Sequence, residues 1–364
     1  MLAGARGRWY LVFAWAMTPF LSVCIMTYNR AGRLRETLDS VLSQVGDRRE
    51  IEVLVSDNAS VDNTGEVVRD YCSRHPRLRY SRNNTNLGFD GNVVACIENA
   101  AGEYILFFSD DDLAPPGLLE GLLKDLKETR PVAAYINHKP FFDNDPREVA
   151  APTQPVIRRL FTNPTEFFLE TGLGFLSTII LKTSEARKYT GRVAHGRSTA
   201  QVDIASRVVL SSDGPYLFDG TLSVLARVEY ESLYDPLRYG AMNTTAVHLD
   251  LLRDGLLTQA DVDWHNRKTI RLFLQRLIVN NRLKGGKGLI SARELRKLYG
   301  RDPLFYLYAY PLLVIPAPLV RWIAYPLRGL IRMRRKWLLA RGITGKTPLH
   351  LSPRHLNKGR HTCT

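Results

Sequence analysis

Three consecutive aspartates, Asp110, Asp111 and Asp112, follow the apolar run Tyr104–Phe108 and Ser109. A run of that kind suits a strand buried on both faces of a parallel sheet. No Lys, Arg or His occurs between Glu103 and Lys124, so no cation near in sequence balances the carboxylates. Like charges this close resist joint ionisation unless something positive sits among them. A hard divalent cation held by carboxylate oxygens and shared with substrate phosphates would meet that need. An Asp-rich turn or a helix cap is the alternative. Pro116 suits the first turn of a helix beginning near Gly117.

Two further polar motifs end apolar runs. Leu21–Met26 leads into Thr27-Tyr28-Asn29-Arg30, and Ile51–Ser56 leads into Asp57-Asn58-Ala59-Ser60. Helical spacing over 33–44, 62–73 and 90–100, with a short strand near Leu78–Tyr80, completes a βαβαβ alternation. Such alternation predicts an α/β, doubly wound parallel sheet with ligands at the carboxyl ends of its strands, where all three motifs fall. Beyond Lys124 the pattern predicts strands over Pro131–Asn137, Phe175–Leu181 and Tyr216–Ala226. It predicts helices over 199–210, 244–257 and 266–283, and a proline-containing loop over 138–165.

The chain of 364 residues is 45% hydrophobic and 24% charged, enough for one large domain or two. Its net charge of +14 is unevenly spread: residues 301–364 hold twelve Lys/Arg against one acid, Asp302. A basic tail attracts anionic lipid or nucleic acid. Pro303–Val320 is uncharged, and Pro311, Pro316 and Pro318 interrupt it. That predicts an interfacial or re-entrant segment rather than one spanning helix. The segment PLRGLIRMRRKWLLAR that follows has the pattern of a basic amphipathic helix on an anionic leaflet. Four scattered cysteines (Cys24, Cys72, Cys96, Cys363) without CxxC spacing imply reduced thiols, no zinc site and a cytosolic setting. Residues 1–20 read as a leader of uncertain role.

The stretches SVCIMTYNRAGRLRETLDSVLSQ (22–44), IEVLVSDNASVDNT (51–64) and NLGFDGNVVACIENAAGEYILFFSDDD (86–112) resemble the family 2 glycosyltransferases of GT-A (nucleotide-diphospho-sugar transferase) fold. The NLGFDGN and FFSDDD details are similar to the abequosyltransferase-like branch of bacterial surface-polysaccharide enzymes. The resemblance implies a nucleotide-sugar donor, a Mg²⁺ or Mn²⁺ cofactor, and transfer with inversion to a glycan or polyprenyl-linked acceptor. It implies that Thr27, Tyr28 and Arg30 line the nucleotide pocket, that Asp57 meets the base or ribose, and that Asn86, Gly88 and Asn92 lie near the ribose and sugar. The metal would be held within Asp110, Asp111 and Asp112, in one of two registers. Asp110 and Asp112 make one DxD; counting back from Pro116 instead makes Ser109 first and Asp111 last. Asp203, in Gln201-Val202-Asp203, is the candidate base, with His195 as runner-up.

The domain plan is then a donor half over 21–125, an acceptor half over 126–235, a helical extension over 236–300 and a membrane-associating tail over 301–364. The expected setting is the inner face of the cell membrane, with an anionic membrane surface as partner and no nucleic acid. A nucleotidyltransferase would need a Gly-rich basic phosphate loop, which TYNRAGR resembles poorly. A non-catalytic scaffold would have no use for aspartates on a sheet rim.

Overall fold

In the computed structural model, residues 18–142, 145–228, 236–284, 290–316 and 319–320 are described. The leader up to residue 17, Cys363 and the basic segment 321–364 lie outside them. The first half reads β1 (Leu21–Thr27), α1 (Ala31–Val45), β2 (Ile51–Asp57), α2 (Thr64–Arg74), β3 (Leu78–Arg82), α3 (Gly88–Asn99), β4 (Tyr104–Ser109) and α4 (Leu118–Thr129). The expected alternation is present, with ends shifted by a few residues. Pro116 precedes α4 instead of entering it, because Gly117 takes a left-handed conformation (φ 85°) at the N-cap and so sets the helix start.

The second half contributes β5 (Ala133–Phe142), β6 (Asp145–Val149), β7 (Arg158–Phe161), α5 (Pro164–Thr171), β8 (Ile179–Lys182), α6 (Thr183–Arg187), α7 (Ala200–Leu210) and β9 (Tyr216–Val228). The loop expected over 138–165 is therefore incorrect: β5 runs on through Pro140, and β6 and β7 follow. Proline removes a donor but keeps its carbonyl, and the Pro140 carbonyl accepts from the Ala150 amide at 2.7 Å. The strand expected over Phe175–Leu181 begins only at Ile179, after a 3₁₀ turn at Leu176–Thr178.

The strands form one sheet in the order β3-β2-β1-β4-β8-β5-β9-β7, with β6 beside β5. β3, β2, β1 and β4 are mutually parallel, whereas β8 is antiparallel to both β4 and β5. The sheet is thus mixed rather than wholly parallel, and its two halves are hydrogen-bonded through β8. Alternate β1 residues face opposite layers. Leu21, Val23 and Ile25 join Leu34, Leu38 and Val41 of α1 and Leu119 and Leu122 of α4. Cys24 and Met26 join Val93 and Ile97 of α3 and Val202 and Val208 of α7. Each such buried aliphatic side chain contributes about 1.5–3 kcal/mol. The cysteines of the described residues are free, and burial pushes the Cys24 thiol up.

Helices α8 (Thr244–Arg253), α9 (Gln259–Thr269), α10 (Gln275–Lys284), α11 (Ala292–Tyr299) and α12 (Tyr310–Val314) complete the described chain. The helix expected from residue 266 starts at Gln259, where Thr258 and Asp261 form a capping box, and a wide turn over Ile270–Leu274 joins α9 to α10. These elements enclose a third apolar cluster around Ile270, Leu274, Ile278, Tyr299, Phe305 and Ala309. Part of the uncharged segment after residue 303 is therefore core. Among the described residues no helix is long and apolar enough to cross a membrane.

His248 is fully buried and sets its ring edge-to-face against His265, 4.1 Å between centroids. Burial pushes His248 down to about 4; burial, His248 and Lys268 push His265 well below the usual histidine range. A histidine held neutral in the fold takes up its proton on unfolding, so this stability is complete above about pH 6.5 and declines toward pH 4. The thermal midpoint of wild type should fall relative to that of His248→Leu as pH drops from 7 to 5. An unchanged slope in the variant would contradict the assignment.

Candidate functional site

The register that aligns Thr27 of β1 with Asp57 of β2, and Met26 with Ser109 of β4, brings the three polar motifs to one rim. Two turns lock each other there. The Asn29 side-chain carbonyl accepts from the Val61 amide at 2.7 Å, and the Asn29 amide donates to Ser60 Oγ at 2.9 Å. Asn29 and Ala59 both hold positive φ, 53° and 63°. Asparagine tolerates that region; alanine does so at a cost that the surrounding bonds must sustain.

Asp57 is fully buried. Its carboxylate accepts from the Ser60 amide (2.8 Å), the Tyr80 hydroxyl (2.5 Å) and the Arg82 guanidinium (3.0 Å). Burial and then that hydrogen bond to Asp57 raise the Tyr80 phenol. Asn58 ties the neighbouring loop: its side-chain amide donates to Asn86 Oδ1 and the Gly88 carbonyl, and its oxygen accepts from the Leu87 amide. Asn92 is buried and faces inward, accepting from Ser56 Oγ at 2.7 Å and donating to the Ser56 carbonyl. Asn86 and Gly88 are exposed on the rim, whereas Asn92 holds α3 to β2.

The three aspartates separate into three environments. Asp112 turns inward, accepting from Ser177 Oγ (2.6 Å) and the Arg227 amide (3.0 Å). The loop that carries it is joined to β9 by a pair of 2.9 Å bonds between Leu113 and Leu225. Asp110 is buried near Thr27 and the Tyr28 backbone. Burial, and then the charge of Asp111, push it up to about 7 against the pull of Arg30. Burial and Asp111 likewise push Asp112 well above the usual carboxylate range. Asp111 is the least enclosed of the three. It accepts from Ser109 Oγ at 2.5 Å and from Arg30 Nη1 at 2.6 Å, and the same nitrogen lies 3.9 Å from Asp110. The cation absent from the neighbouring sequence thus arrives from the β1 turn.

Among the described residues no group of three or more His, Cys, Asp or Glu side chains converges as an all-protein metal cage. The donor set nevertheless fits Mg²⁺ or Mn²⁺. Such ions take one or two carboxylates and complete their shell with water and substrate phosphates. Asp111, with Asp110 beside it, offers that set, and Asp112 is already engaged. The part-exposed Arg30 contact, worth about 0–1 kcal/mol, is weak enough to be exchanged.

Asp203 lies buried on α7. Arg207 Nε donates to it at 2.7 Å and Arg207 Nη1 reaches Asp254 at 2.6 Å. Burial raises the Asp203 carboxyl while Arg207 draws it down. His195 is exposed, in the loop before α7. That loop is fixed by Asp90, a buried α3 residue whose carboxylate accepts from the amides of Arg197, Ser198, Thr199 and Ala200 at 2.8–3.0 Å. Four donors to one carboxylate satisfy the amides that a helix start leaves unpaired. Sequence reasoning missed Tyr80, Arg82, Asp90, Ser177 and Arg227. Of these, only the acid inside NLGFDGN and the arginine ending a strand carried a local signal.

A model described as glycosyl transferase family 2 matches residues 22–180. Residues 22–180 are thus similar to the family 2 glycosyl transferases. Abequosyltransferase RfbV of Salmonella typhimurium is 41% identical over 100 residues, which cover 27% of this chain and 30% of that protein. The GalNAc(5)-diNAcBac-PP-undecaprenol beta-1,3-glucosyltransferase of Campylobacter jejuni is 34% identical over 111 residues, 30% of this chain and 35% of that protein. The matched region thus spans about a third of each of these relatives. Among solved structures, TarS 1-349 of S. aureus in complex with UDP-GlcNAc aligns with a TM-score of 0.55 at 18% identity, over 80% of this chain and 88% of that one. TarS 1-349 alone aligns at 0.54 and 18%, over 83% and 86%. These alignments support a GT-A-like core fold.

Asp90→Ala leaves four amides without their acceptor. Each unsatisfied buried group costs about 1–3 kcal/mol, so the variant should lose several degrees in thermal midpoint and show faster hydrogen exchange at 197–200. Wild-type protection there would refute the clamp.

Proposed function

We propose that the chain is an inverting, metal-dependent glycosyltransferase that moves a sugar from a nucleotide diphosphate to an envelope glycan carried on a lipid. The observation that carries this reading is the rim itself. The ends of β1, β2 and β4 bring a part-exposed aspartate and an exchangeable arginine together beside buried Asp57. Asp111 and Asp110 would hold Mg²⁺ or Mn²⁺, which when bound supplies positive charge to the leaving diphosphate. On exchange with Asp111, Arg30 would pair with phosphate oxygens, for which a guanidinium is well shaped. Thr27, Tyr28 and Asp57 would receive the nucleoside, and Asn86 and Gly88 would border the sugar.

Transfer with inversion needs a base on the acceptor side. His195 and Asp203 remain the two candidates. His195 is exposed, whereas Asp203 is engaged by Arg207, so the base role is given first to His195. A lipid-linked acceptor is supported by the diphospho-undecaprenol named in the Campylobacter jejuni relative and by the basic segment 321–364. The reading places the enzyme peripherally on the inner face of the cell membrane.

Purified protein given nucleotide sugars and Mn²⁺ should release nucleotide diphosphate. Asp111→Ala should cut that release on the order of a hundredfold, while Asp112→Asn should chiefly lower thermal stability. Full activity in Asp111→Ala would refute the metal assignment, and release of pyrophosphate would indicate nucleotidyl transfer. His195→Gln should lose transfer yet still bind nucleotide; an unchanged rate would move the base role to Asp203.

A further inference from the structure

The helical extension presents a surface that the transfer chemistry does not use. A groove of about 620 Å³ is lined by Arg271, Gln275, Leu307, Tyr308 and Leu312, where the wide turn before α10 meets the segment before α12. Its apolar rim stands in solvent: Leu307 is 66% exposed and Tyr308 46%, and Leu272, Phe273 and Tyr306 beside them in the chain are also exposed. Scattered exposed apolar residues need no explanation, but a contiguous group does.

Charge indicates the occupant. Residues 264–284 hold six Lys/Arg and residues 303–320 hold none, and neither segment contains an acid. Several of those cations are engaged internally. Arg267 pairs with Asp302, Lys268 bonds the Leu169 carbonyl, and Arg282 bonds the Leu312 and Ile315 carbonyls. Arg271 and Arg276 are exposed and have no ion-pair partner among the described residues. The chain then continues into residues 321–364 with eleven Lys/Arg and no acid. Tyrosines and leucines around arginines without an ion-pair partner among the described residues, on segments that contain no acid, match the boundary between lipid headgroups and acyl chains.

We propose that this face docks on a bilayer of anionic phospholipid, with Arg271 at the phosphates, Tyr308 at headgroup depth and Leu307 and Leu272 entering the acyl boundary. The inference rests on the membrane part of the proposed function and assigns it to a folded surface in addition to the basic segment. A surface docked in this way would hold the enzyme where a lipid-linked acceptor is found.

Co-sedimentation of the full chain with vesicles tests this. Wild type should pellet with phosphatidylcholine–phosphatidylglycerol vesicles, pellet little with phosphatidylcholine alone, and be released by high salt. Arg271→Glu and Leu307→Glu should each weaken binding about tenfold or more, with unchanged thermal midpoints. Nucleotide diphosphate release measured without vesicles should be retained in both, so failure of docking and failure of the transferase reading are separable. Binding of either variant equal to wild type, equal pelleting with both lipid mixtures, or no pelleting of wild type would overturn the proposal. So would a wild-type dimer in light scattering that Leu307→Glu dissociates, which would assign the face to a second copy.

Discussion

The contact between Arg30 and the aspartate rim is the interaction on which the rest of the site depends. Three adjacent carboxylates cannot share a sheet edge as equals. The fold resolves this by giving each a different neighbourhood. Asp112 is drawn inward to Ser177 and the Arg227 amide. Asp110 is enclosed beside the turn after β1. Asp111 stays at the surface under Arg30. In the proposed reading a hard cation with phosphates would take the place of the guanidinium, because an ion pair of this exposure is weakly held.

That arrangement requires both halves of the chain. Ser177 precedes β8 and Arg227 lies next to the end of β9, so the loop bearing the aspartates is shaped by residues 65 to 115 positions away. Asp90 extends the same dependence outward, since one α3 carboxylate sets the start of α7 and the loop containing His195. Because β8 pairs with β4, residues from the two halves of the chain share one sheet.

The first half was legible in the sequence because buried parallel strands leave continuous apolar runs and their helices leave clear periodicity. The motifs at their ends followed directly. The second half was less so. Pro140 suggested a loop, yet a strand whose carbonyls are satisfied accommodates it. Phe175–Leu181 resembled a strand by composition, but its first residues turn to place Ser177 against Asp112. The register of the aspartates was open in sequence, since side-chain direction after a strand end is set by partners far along the chain. The resemblance put Arg30 in the expected nucleotide pocket, but its contact with Asp111 was visible only in three dimensions.

Calorimetric titration of the intact protein with a panel of nucleotide sugars, with and without Mn²⁺, tests the central claim most directly. The account predicts saturable heat for at least one donor that depends on Mn²⁺ and is lost in Asp111→Ala while the fold persists. A folded, Mn²⁺-saturated sample that gives flat titrations with every common nucleotide sugar would contradict it.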